Sequence, residues 1–112
     1  MTIQQDAGEI MAYIYNKYVS HIDPVFILLP EEIEKVTGWS KDRITRALRY
    51  LRQENLITSH TENDIMVVPS GVTPDGVRTI ENESKSKSIF GFSFKINPLT
   101  GNIEFGFSWE KK

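Results

Sequence analysis

Five basic side chains, Lys41, Arg43, Arg46, Arg49 and Arg52, are spaced two or three residues apart in the middle of this 112-residue chain. A guanidinium offers a planar fork of donors that matches phosphate oxygens and base edges, so the chemistry on offer is recognition rather than bond making. Residues 40–55 hold five of the 13 Lys and Arg residues but only two of the 15 Asp and Glu residues. One reading is contact with nucleic acid. The other is an ordinary solvated helix face, because Arg is a good helix former and charge runs commonly mark a surface.

Residues suited to catalysis or metal binding are sparse. The absence of cysteine excludes disulfides, thiol catalysis and Cys-based metal sites. The two histidines, His21 and His60, lie in no ligand spacing. Glu31, Glu32 and Glu34 crowd a helix start, where solvated acids belong. With no phosphate-binding glycine loop or nucleophile motif, the expectation is a protein that is not an enzyme and has no metal, cofactor or evident small-molecule ligand.

A net charge of −2 and a pI near 5.7 argue against general basicity. Between Lys41 and Arg52, five basic residues and one acid give +4, which leaves −6 for the rest of the chain. Nucleic-acid contact would therefore be local. The start M-T-I-Q-Q-D lacks the basic and apolar regions of a leader, and the apolar run at 25–29 is too short to cross a bilayer. These features predict a soluble, cytoplasmic chain.

The basic residues need a helix to hold them. Ile44, Ala47, Leu48 and Leu51 recur at spacings of three and four, predicting a helix over 41–54 with Ser40 as its N-cap. That periodicity sets Arg46, Arg49, Asp42 and Gln53 opposite the apolar stripe, with Arg43 and Arg52 on the flanks. Upstream, Ala7, Ile10, Met11, Ile14 and Tyr18 predict a helix over 6–18, with Asp6 as N-cap. Residues 25–29 read as a short buried strand. Pro30, Glu31 and Glu32 then open a short helix that buries Ile33 and Val36 and ends at Gly38.

The order Leu29-Pro30-x2-Ile33-x2-Val36-Thr37-Gly38-Trp39-Ser40-x3-Ile44-x2-Ala47-Leu48-x2-Leu51-x3-Asn55-Leu56-Ile57 resembles the helix-turn-helix of winged-helix DNA-binding domains, in particular small prokaryotic or archaeal-type transcriptional regulators. Strands at 56–60 and 65–68 around a turn at 61–64 would form the wing. A helix capped by Thr73 and started by Pro74, with Val77 and Ile80 inward, is also similar to such regulators. The resemblance covers about residues 6–83 and implies an α+β fold, a three-helix core with a short β wing.

It further implies binding of double-stranded DNA through insertion of helix 41–54 in the major groove. Arg46 and Arg49, with Thr45 and Gln53, become base-edge candidates, and Lys41, Arg43 and Arg52 become phosphate contacts. Two departures stand out. Glu62 and Asp64 occupy the wing tip, where phosphate contact needs cations, so the wing is expected to add little. Asn55 stands where Gly is common, and Asn tolerates the same left-handed backbone.

Residues 84–88, S-K-S-K-S, read as a polar linker, followed over 89–112 by a β-hairpin turning at 97–102. Pairing Ile96 with Ile103 puts Phe90, Phe92 and Phe94 opposite Trp109, Phe107 and Phe105 on one face, with Lys95 opposite Glu104 on the other. A face with six large aromatics must be covered. It either folds back on its own domain or meets its copy in a homodimer. The alternative to DNA binding is a protein-interaction or assembly module that works through this hairpin.

Overall fold

A computed structural model describes residues 2–20, 26–61 and 67–104, and among them the chain is α+β, with five helices and two small antiparallel two-stranded sheets. Helix α1 (Ile3–Ser20) is the central element. It buries Ala7, Ile10, Met11 and Ile14 as the periodicity requires, and packs against the helix that carries the arginines. It starts earlier than expected. Thr2 Oγ1 accepts the Gln5 N–H at 3.1 Å, so Thr2 takes the capping role expected of Asp6. Asp6 is instead buried inside the helix.

Residues 26–29 run beside residues 69–70 without forming the strand that the sequence predicts for 25–29, and Val25 lies outside the described residues. Phe26 N–H donates to the Ser70 carbonyl at 2.9 Å and Leu28 N–H to the Pro69 carbonyl at 3.1 Å. Phe26 and Leu28 are buried, while Ile27 and Leu29 are exposed, so only one face of the segment is covered. His60 Nε2–H donates to the Phe26 carbonyl at 2.9 Å and holds the segment in place. His21 lies outside the described residues.

Helix α2 (Pro30–Thr37) has the expected bounds, with Pro30 at its first turn and Gly38 left-handed at φ 74°. Glu32 anchors it to α1 by accepting from Tyr13 Oη at 2.6 Å and pairing with Lys17 Nζ at 2.8 Å. Burial opposes ionisation of Glu32, but the Lys17 and Tyr13 hydrogen bonds outweigh it and hold the carboxyl below its ordinary pKa. Burial and the same carboxylate push the Tyr13 phenol up.

The wing expectation needs a correction of register. Strand β1 (Ile57–Ser59) lies where predicted, but its partner β2 (Pro69–Val72) starts directly after the predicted 65–68 segment, four residues later than expected. Ile57 faces Val72, Thr58 faces Gly71, and a bulge brings Ser59 opposite Pro69. Pro69 has no backbone N–H to donate to a ladder. As the first residue of a strand it needs none, and its carbonyl still accepts from Leu28. Residues 62–64 of the predicted turn and 65–66 of the predicted second strand lie outside the described residues.

Helix α4 (Pro74–Glu81) has Thr73 as its cap, whose Oγ1 accepts the Gly76 N–H at 2.9 Å. The predicted linker is a helix, α5 (Glu83–Phe90). The Asn82 side chain accepts the Lys85 N–H at 3.0 Å, Glu83 pairs with Lys87 at 3.0 Å, and Gly91 closes the helix at φ 86°. Only Ser86 and Phe90 of α5 are fully enclosed. The apolar period is thus too short to stand out in sequence, and the caps define the helix instead.

The hairpin keeps its predicted register but starts later. β3 (Lys95–Ile96) pairs with β4 (Ile103–Glu104), Lys95 opposite Glu104 and Ile96 opposite Ile103. Phe90 ends α5 rather than opening a strand, and it is fully buried by its own chain. Phe92 and Phe94 pack around it, with ring centroids 6.5 Å and 5.5 Å from the Phe90 ring. Gly8 of α1 makes room for this cluster, since a Cβ there would come within 2.6 Å of the Phe92 ring. Phe105, Phe107 and Trp109 lie outside the described residues.

Candidate nucleic-acid interface

Helix α3 (Lys41–Gln53) is amphipathic in the sense the sequence predicts, and it ends one residue short of the predicted 54. Ile44, Ala47, Leu48 and Leu51 are buried. Ser40 caps it by accepting the Arg43 N–H at 3.3 Å, and Asp42 favours the positive end of the helix dipole. Its far end is a left-handed turn on a non-glycine residue, Asn55 at φ 59°. There the Leu56 N–H reaches the Leu51 carbonyl and the Asn55 N–H the Arg52 carbonyl, both at 3.0 Å. This pattern satisfies the last carbonyls and stacks the buried Leu56 near Leu51.

The predicted site residues divide by environment. Lys41, Arg46 and Gln53 are exposed, whereas Thr45, Arg49 and Arg52 are half-buried. Lys41 and Arg46 form no ion pair with any described residue. Arg46, Arg49 and Gln53 share the outward face, with Lys41, Thr45 and Arg52 along one flank.

Arg43 turns the other way. Its Nε and Nη2 donate to Asp6 Oδ2 and Oδ1 at 2.8 and 2.9 Å, a bidentate pair with a carboxylate only 9% exposed. The guanidinium carbon also sits 3.8 Å from the centroid of the Trp39 ring. The Asp6 hydrogen bonds hold the guanidinium above its ordinary pKa, with Asp6 and Glu9 adding electrostatically. Engaged on both sides, Arg43 is a strut between α1 and α3.

Sequence reasoning misses the neighbours that frame this face. Tyr50 Oη donates to the Ile89 carbonyl at 2.9 Å, tying α3 to α5. Ile3 of α1 joins Arg46, Arg49, Tyr50 and Gln53 around an open groove of about 220 Å³. Asp6 carries a usable signal, an acid four residues before Ile10 on a core stripe, which calls for a buried cationic partner. Ile3 carries a weaker one: it stands four residues before Ala7 and so extends the same apolar stripe toward the helix start.

Among the described residues there is no His, Cys, Asp and Glu cluster able to hold a metal, and no helix is long and apolar enough to cross a membrane. No protein-family model, curated protein sequence or solved structure matches the chain, so its residues and their geometry carry the functional reading.

Proposed function

We propose that this chain is a winged-helix protein that binds double-stranded DNA, as a transcriptional regulator, by inserting α3 into the major groove. The observation that carries this reading is the division of α3 into a fully buried apolar stripe and an outward face of Arg46, Arg49 and Gln53 flanked by Lys41 and Arg52. The element order also suits it: helix, extended segment, short helix, glycine turn, longer helix, two-stranded sheet. Arg46 and Arg49 have the donor geometry for guanine, and Gln53 for adenine. Lys41 and Arg52 supply phosphate charge, while the acidic Glu62 and Asp64 between β1 and β2 add none.

With Lys41 and Arg52 on phosphates and no basic wing, neutralising about two phosphates predicts a log–log salt slope of about −2. The test is a salt-titrated binding assay on duplex pools. Arg46→Ala combined with Arg49→Ala removes sequence preference and weakens binding more than about tenfold. Unchanged affinity in the double variant rejects the assignment. The alternative of an assembly module working through the aromatic hairpin draws less support, because Phe90 is enclosed by its own chain.

A further inference from the structure

The groove beside α3 has one apolar wall. Ile3 is 46% exposed, although it belongs to a helix whose other aliphatic side chains up to Ile14 are buried. Its position is fixed. Thr2 caps the helix start, and the Asp6–Arg43 pair locks the first turns of α1 to α3. Ile3 lies one turn before Asp6 on the same side of α1. Arg46 and Tyr50 lie one and two turns beyond Arg43 along α3. The two helices thus meet in register, with Asp6 against Arg43 and Ile3 at the edge of the Arg46, Arg49, Tyr50 and Gln53 face.

A groove with an aliphatic wall beside amide and guanidinium donors matches one kind of base-pair edge. In the major groove, thymine alone among the four bases projects a methyl group, next to its O4 acceptor and the N6 and N7 groups of its adenine partner. Guanine and cytosine edges carry no methyl group and leave the aliphatic wall without an apolar partner of that size.

We infer that Ile3 is a specificity residue that packs on the C5-methyl of a thymine, so that α1 and α3 together read the target. This rests on the DNA-binding assignment above. Burying one methyl contributes ~0.8 kcal/mol, an expected effect of about fourfold in affinity per thymine contacted.

The test uses the full chain and a duplex selected from a random pool. Each thymine is replaced in turn by uracil, which keeps base pairing and removes only the methyl. At one or two positions the wild-type chain loses about fourfold in affinity, and Ile3→Ala binds thymine and uracil duplexes equally. Absence of any methyl dependence in wild type, or its full retention in Ile3→Ala, overturns the inference while DNA binding itself stands. Failure of the wild type to bind any duplex overturns both. The uracil measurement on wild type requires no variant to fold.

Discussion

Arg43 and Asp6 form a two-point pair, with Nε–Oδ2 and Nη2–Oδ1 separations of 2.8 and 2.9 Å, that fastens the arginine-bearing helix to α1. Asp6 is nearly enclosed and Arg43 is 29% exposed at its side chain. Removing either partner strands a charge. Asp6→Ala and Arg43→Ala are each expected to cost ~2–3 kcal/mol, below the 3–5 of a fully buried pair because Arg43 keeps some solvent contact. Urea unfolding of both single variants and the double checks this, the double costing less than the sum of the singles.

Gly76 is a close-packed position at the start of α4. A Cβ there would run into the Leu56 carbonyl oxygen and approach Val72 Cγ1 to 2.7 Å. Backbone cannot yield as a side chain can, so Gly76→Ala is expected to destabilise by more than ~2 kcal/mol, despite the higher helix propensity of Ala. A thermal midpoint equal to or above wild type contradicts this.

Asn55 holds a left-handed backbone at φ 59°. Asn55→Ala is expected to cost ~1 kcal/mol, while Asn55→Gly stays near neutral, because glycine meets no Cβ penalty there. Comparing the two midpoints in denaturant separates backbone strain from loss of the amide.

Acid stability is linked to Glu32. Its folded pKa is depressed by Lys17 and Tyr13 against the opposing effect of burial. The stabilisation is therefore present above the ordinary Glu value near 4.5 and is lost as pH falls through the lower folded value. Glu32→Gln removes this dependence. Unfolding free energies measured from pH 6 downward should fall less steeply in the variant than in wild type over that acid range.

Sequence exposes what local chemistry determines. Ser40, Thr73-Pro74, Gly38 and Asn55 each act within a turn of their own position, and each sits in the structure as its residue type requires. The Ile96–Ile103 register follows from alternation over two strands. Longer-range determinants are hidden. Asp6 reads as a cap until Arg43, 37 residues away, claims its carboxylate. The polar run 84–88 reads as a tether because its helix is anchored chiefly by Phe90 and by Ser86, whose hydroxyl donates to the Thr79 carbonyl. The outward face of α3 is legible from periodicity, but its Ile3 rim depends on how two helices meet.

Asn16 carries a consequence for solubility. Its Nδ2 donates to the Ile103 carbonyl at 3.1 Å, and its Oδ1 accepts the Ile103 N–H at 2.6 Å. One side-chain amide thereby acts as a surrogate peptide for the backbone of β4 on the side away from β3. Open strand edges recruit other chains and seed aggregation. Here that edge is occupied at Ile103 by the molecule's own central helix, so the β3–β4 hairpin does not offer β4 at Ile103 as a template for a neighbour.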